Sequence, residues 1–113
     1  MIICITARAS GMDAQAEQRF ARAPYFTFVN TETGASESIV NPLIDAAGGV
    51  GPRAVQLLSD RGVTVVITGH VGGNAARALA AGGFKVFAYP GSGSVADALA
   101  AYNAGNLQPI SLA

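Results

Sequence analysis

Val63-Thr64-Val65-Val66-Ile67-Thr68-Gly69-His70-Val71-Gly72-Gly73-Asn74-Ala75-Ala76-Arg77-Ala78-Leu79 is the stretch from which the rest of the chain is read. It opens with a run of β-branched residues, the pattern of a strand buried on both faces, as in a parallel sheet. A glycine-rich turn stops that strand, and a helix of small residues begins at once. Gly69, Gly72 and Gly73 are expected to permit positive φ in the turn and a close approach to its backbone. The first amides of the helix project from its N-terminus with partial positive charge. A strand, a glycine turn and a helix start together suit an anion. His70, the single histidine of the chain, lies in this turn.

Size and charge narrow the classes of function. A chain of 113 residues without a long linker is expected to form one domain, over residues 1–113, with a core of its own. Half of the residues are hydrophobic, 12% are charged, and seven basic residues balance seven acidic ones. A neutral chain exerts no general pull on nucleic acid or on an anionic membrane, so neither is expected as a partner. Cys4 is the only cysteine, which excludes an internal disulfide and a multi-cysteine metal motif within one chain. The start Met-Ile-Ile-Cys-Ile resembles no signal peptide, and no apolar run is long enough to span a bilayer, so a cytoplasmic location is expected.

On either side of the central stretch the grammar differs. Residues 1–6 form a continuous apolar run, read as a central strand with Cys4 as a small buried hydrophobe. Residues 7–24 show no strand period and make an unusually long loop, with a helical turn expected within 14–20. The loop carries Arg8, Arg19 and Arg22, read either as solvated charges or as a flap that meets an anionic ligand. Residues 25–31 are aromatic and β-branched, Glu32-Thr33-Gly34 is a hairpin turn, and residues 35–40 alternate weakly, as an exposed edge strand would.

After Asn41-Pro42 strands and helices alternate. Gly48-Gly49-Val50-Gly51-Pro52 leads into a helix with proline expected at its first position and Gly62 past its end. The central unit follows, its helix closed by Gly82-Gly83, and residues 84–88 are the next strand. Pro90-Gly91-Ser92-Gly93-Ser94 is another glycine turn, in which Ser94 and Asp97 make a capping box for the last helix. The tail, 106–113, is expected to cover a sheet edge.

The expected fold is α/β: a five-stranded mixed sheet in the order strand, strand, strand, helix, strand, helix, strand, helix. With right-handed crossovers, the turns at 69–73 and 90–94 open at the carboxyl edge of the parallel strands, with 48–51 nearby. The candidate binding residues are therefore Arg22, Gly49, Gly51, Gly69, His70, Gly72, Gly73, Gly91 and Gly93.

Several motifs occur together in a specific order: Phe20-Ala21-Arg22-Ala23-Pro24-Tyr25-Phe26, Glu32-Thr33-Gly34, Asn41-Pro42, Gly48-Gly49-Val50-Gly51 and Val65-Val66-Ile67-Thr68-Gly69-His70-Val71-Gly72. In this order the chain resembles the dinitrogenase iron–molybdenum cofactor biosynthesis family over nearly its whole length. The resemblance implies a ribonuclease H-like three-layer α/β/α fold. It also implies a non-enzymatic carrier of an iron–sulfur or iron–molybdenum cofactor precursor, in nitrogen fixation or outside it, with a cofactor-assembly or acceptor protein as partner. Two departures bear on the site. Arg19 stands where the family commonly has histidine, and His70 where it often has asparagine or another polar residue. His70 is thus a candidate metal ligand, alongside its reading as an exposed or capping residue.

The physics suits such a cargo. A preassembled metal–sulfur cluster is anionic and brings its own sulfides, so it needs hydrogen-bond donors and one or two ligands. A nucleotide- or phosphate-binding regulatory module is the alternative, although Gly69-x-x-Gly72-Gly73 matches neither the dinucleotide fingerprint nor the P-loop. A ribonuclease H-type nuclease needs clustered acids for two metals, and Ile3, Cys4, Ile5 and Thr6 supply none.

Overall fold

The two most apolar runs of the chain lie side by side as parallel strands in the middle of one sheet. In this computed structural model, which describes residues 1–90 and 92–112, the strands are β1 (Ile2–Ala7), β2 (Tyr25–Asn30), β3 (Ser36–Val40), β4 (Val63–Thr68), β5 (Lys85–Ala88) and β6 (Gln108–Pro109). The helices are α1 (Val50–Asp60), α2 (Gly73–Ala81) and α3 (Val95–Asn103). The sheet order is β3-β2-β1-β4-β5-β6. β1, β2 and β3 pair antiparallel, as a meander, and β1, β4 and β5 pair parallel.

The sheet has six strands, not five. The tail supplies the sixth, with Phe87 opposite Pro109 and Ala88 opposite Gln108. The outer edge of β5 would otherwise present unpaired backbone groups. Proline is tolerated there because an edge strand needs only half of its donors. Two residues are too few for any hydrophobic period to reveal.

Alternation along the central strands sends side chains to two separate cores. Cys4, Phe26, Phe28 and Val66 pack on one face with Leu58 of α1 and Leu79 of α2. Ile3, Ile5, Val65 and Ile67 pack on the other with Val95 and Ala98 of α3. Helices therefore cover both faces, which is why β1 and β4 read as unbroken apolar runs. Cys4 is fully buried, and burial pushes its thiol well above the ordinary range, so it behaves as the small hydrophobe expected.

Three local readings need correction. No helical turn forms within 14–20; Gln15, Ala16 and Arg19 make isolated bridges to Ser94, Ala7 and His70 instead. Helix α1 starts two residues before Pro52, which occupies the third helical position, still within the turn whose amides have no intrahelical acceptor. Its N-cap, Gly49, has φ 67°, a left-handed conformation that favours glycine. The turn at 69–73 needs no such freedom: Gly69, Gly72 and Gly73 all avoid positive φ, with Gly72 at −69°. The capping box at α3 forms as expected, with Ser94 Oγ accepting from the Asp97 amide at 3.1 Å. No described helix is long and apolar enough to cross a membrane.

Candidate functional site

Because β1, β4 and β5 run parallel, their carboxyl ends share one edge, and the long loop after β1 lies directly across it. Residues 15–20 act as a strap. The Glu17 amide donates to Thr6 O at 2.9 Å, and the Thr6 hydroxyl donates to Glu17 O at 2.6 Å while meeting the Thr68 hydroxyl at 2.8 Å. The Gln18 carbonyl then accepts from the amides of Gly69 and His70, at 2.9 and 2.6 Å, and Gln18 Nε2 donates to Tyr89 O at 3.0 Å. Beyond it, Phe20 N donates to His70 O, and the Phe20 ring is buried against Phe26.

This strap occupies part of the expected anion seat. A β-carbon on Gly69 would lie 2.9 Å from Gln18 Cα and closer still to the Gln18 amide oxygen. Gly69 is therefore glycine to let the strap pass, and its amide is already used. The same holds on the α3 side. Val95 N and Ala96 N donate to Ala14 O and Met12 O, at 2.8 and 2.9 Å, and Ala16 N donates to Gly93 O at 3.0 Å. Gly93 packs against its own capping box, where a β-carbon would stand only 3.0 Å from Asp97 Cβ. Neither Gly69 nor Gly93 lines the open recess described next. Gly91 lies outside the described residues.

Glu17 holds the strap electrostatically. Its side chain is 5% exposed, and its carboxylate accepts from Arg19 N at 2.9 Å and Arg19 Nε at 3.1 Å, with Arg8 Nε 3.5 Å away. Burial pushes the carboxyl up. The hydrogen bonds and charge of Arg19, with Arg8 adding to them, outweigh that and hold it below the ordinary carboxylate value. Two of the three loop arginines are therefore committed to the fold.

The other half of the edge is open. A recess of about 300 Å³ is lined by Ala21, Arg22, Gly48, Gly49, Val50, Gly51, Gly72, Gly73, Asn74 and Ala75. It lies where the N-termini of α1 and α2 meet. Gly51 makes that meeting possible, since a β-carbon there would stand 2.9 Å from Ala75 N. Neither helix has a side-chain cap. The amides of Val50 and Gly51 in α1, and of Gly73, Asn74 and Ala75 in α2, consequently have no intrahelical acceptor.

Of the candidate residues, the structure thus gathers Arg22, Gly49, Gly51, Gly72 and Gly73 around one recess. Arg22 forms its wall, with Nη1 donating to Ile44 O at 3.2 Å and Ala46 O at 3.1 Å. Asn41, fully buried, positions that wall by donating from Nδ2 to Ala21 O and Ala23 O, both at 2.9 Å. His70 is exposed and does not line the recess; its backbone is tied to the strap. Among the described residues, no three His, Cys, Asp or Glu side chains gather as a metal site.

Sequence reasoning passed over Asn74, which lines the recess, and Arg53 and Arg77, which lie beside its lining glycines Gly49 and Gly73. A signal was present: each arginine stands four residues after a glycine at a helix start, Gly49 as the N-cap of α1 and Gly73 as the first residue of α2. A further recess at the opposite end of the strands is lined in part by Phe28, Glu37 and Arg61. There the Arg61 guanidinium lies 4.7 Å over the Phe28 ring and 3.2 Å from Glu37, so its charge is already matched.

Residues 1–105 match the family described as dinitrogenase iron-molybdenum cofactor. Among solved structures, the apo form of the orange protein from Desulfovibrio gigas is 32% identical, with a TM-score of 0.91 over 97% of this chain and 92% of that one. A putative NifB protein from Thermotoga, described as belonging to the DUF35 family, is 35% identical, with a TM-score of 0.87 over 97% of this chain and 93% of that one. A comparison with curated proteins finds no match.

Proposed function

The chain belongs to the dinitrogenase iron-molybdenum cofactor family, and from that premise we propose that it is a carrier, not an enzyme, that holds an anionic iron–sulfur or iron–molybdenum cluster in the recess between α1 and α2. One observation carries the reading: two uncapped helix N-termini converge on a single recess at the carboxyl edge of the sheet. Amides there gain their acceptors from an anionic guest, and the partial charges of both helices favour it. Arg22 adds a guanidinium at the wall. A cluster that carries its own sulfides is suited to such a seat because it asks for donors more than for ligands.

His70 stands exposed two residues before Gly72. In this reading it is an auxiliary ligand, and a cofactor-assembly or acceptor protein delivers or removes the cargo. The ribonuclease H-like three-layer architecture belongs to the same reading, supported by helices on both faces of the sheet.

The test is anaerobic incubation with an iron–sulfur cofactor donor followed by gel filtration. Coloured, protein-bound iron is expected to co-elute with the chain, and less of it with His70→Ala. A colourless protein that instead binds a nucleotide tightly would replace the carrier by the phosphate-binding alternative.

A further inference from the structure

Helices α1 and α2 share a charge pattern that α3 lacks. Neither has an acidic residue in its first turn, whereas α3, whose N-terminus the chain itself covers, has Asp97 there. Carboxylates are favoured at that end of a helix and cations are not. Yet each of the two recess-facing helices places an arginine one turn in. Arg53 follows Gly49 by four residues, and Arg77 follows Gly73 by four.

Both side chains fold back towards the helix starts. Arg53 Cδ lies 4.0 Å from the point where a β-carbon on Gly49 would stand, and Arg77 Nη1 lies 3.9 Å from the corresponding point at Gly73. Arg77 Nη2 also donates to Asn74 Oδ1, and Asn74 lines the recess. Both arginines are exposed. Three other arginines are matched: Arg8 and Arg19 by Glu17, Arg61 by Glu37. Among the described residues, Arg22, Arg53, Arg77 and Lys85 have no acidic partner. Arg22 lines the recess, Arg53 and Arg77 lie beside two glycines that line it, and Lys85 begins β5 at the opposite edge of the sheet.

We propose that Arg53 and Arg77 are specificity-determining residues that make the recess select guests by charge, favouring anions with two or more negative charges over singly charged ones. The inference rests on the carrier reading and adds to it the class of cargo. The helix amides recognise any anion small enough to enter. An arginine beside each of the two helix starts adds an attraction that grows with each further charge on the guest. Because both cations are exposed, that attraction is screened by salt.

The test uses one synthetic four-iron four-sulfur cluster with four neutral-tailed thiolates, which is a dianion as isolated and a trianion after one-electron reduction. Wild type, Arg53→Gln, Arg77→Gln, the double variant, Arg53→Lys and Arg61→Gln are loaded anaerobically, and bound iron is measured after gel filtration at rising sodium chloride. Wild type is expected to hold the trianion more tightly than the dianion, with retention falling as salt rises. Each glutamine variant should lose about two- to fivefold in affinity. The double variant should lose most of the charge preference and of the salt dependence, Arg22 and the helix starts keeping the remainder, while Arg53→Lys and Arg61→Gln stay near wild type. Melting curves check that the exposed substitutions leave the fold intact. Wild-type behaviour in the double variant overturns the inference and leaves the carrier reading standing. An equal loss in Arg61→Gln also overturns it, by showing an effect of net charge alone. A wild type that retains no iron overturns the carrier reading, and this inference with it.

Discussion

The two halves of the carboxyl edge begin with the same ingredients and use them in opposite ways. Beside α3, the chain supplies its own acceptors: Ala14 O and Met12 O for Val95 N and Ala96 N, Ser94 Oγ for Asp97 N, and Gln18 O for the amides of Gly69 and His70. Between α1 and α2, the helix starts have no side-chain cap and border a recess. A glycine-rich turn before a helix is therefore not in itself a seat for an anion. What decides is whether another part of the chain reaches the amides first. Here the long loop after β1 reaches the amides of one half and only walls the other, with Ala21 and Arg22.

Two glycines of a single turn give the sharpest way to break this comparison. Gly69→Ala must push its methyl into the strap, where Gln18 Cα already lies 2.9 Å from the built position, and is expected to cost about 3 kcal/mol. Gly72→Ala meets nothing within 4 Å in a backbone conformation open to any residue, and is expected to cost no more than about 0.5 kcal/mol. Thermal or denaturant unfolding of the two variants measures the difference. Equal losses would mean that the strap does not fill the α3 half as described.

Gly51→Ala probes the open half. Its β-carbon would stand 2.9 Å from Ala75 N and 3.0 Å from Ala75 Cβ, so α1 and α2 must separate at their starts. A loss of about 2 kcal/mol is expected, together with weaker retention of a cluster. Unchanged stability would show that the helix starts are not held together at this point.

Much of this fold was legible because its elements are long and periodic. The apolar runs of β1 and β4, the meander and its turn at Gly34, and the Ser94–Asp97 capping box all follow from local residue chemistry. The site was legible only in part, and the reason is the loop. Nothing in residues 14–20, with their good helix formers, announces that Gln18 will lie across the end of β4, because that placement depends on Thr6, Thr68 and Tyr89 far away in sequence. Gly51 and Gly69 read as ligand-facing glycines, and the structure gives each a packing reason as well, since a β-carbon would crowd Ala75 and Gln18. The two-residue β6 carries no period at all.

Glu17 gives the filled half a signature in pH. Its folded-state carboxyl titrates below the ordinary value, so the unfolded chain takes up the proton first. The stability it contributes is thus present above the ordinary carboxylate range and is lost as pH falls through that range towards the lowered value. Glu17→Gln is expected to cost about 1–2 kcal/mol at neutral pH, since Arg8 and Arg19 lose their carboxylate partner. The gap between wild type and variant should narrow in acid. A gap that stays constant down the acid limb would assign the loss to packing instead of charge.

The smallest change in stability tests function most directly, because it makes the open half resemble the filled one. Gly72, the N-cap of α2, has φ −69° and ψ 162°, the extended conformation from which a capping side chain reaches back to the helix amides. In Gly72→Asp the carboxylate is placed to accept from Asn74 N or Ala75 N, as Ser94 accepts from Asp97 at α3. A gain of about 0.5 kcal/mol is expected from the cap and the helix charge together. The same carboxylate would stand where an anionic guest is proposed to sit and would repel it. A more stable protein that holds less cluster is the expected result, measured by melting and by bound iron on one preparation. A more stable protein that holds as much cluster as wild type would move the guest away from α2. On the carrier reading, the missing cap exchanges local stability for an open anion seat.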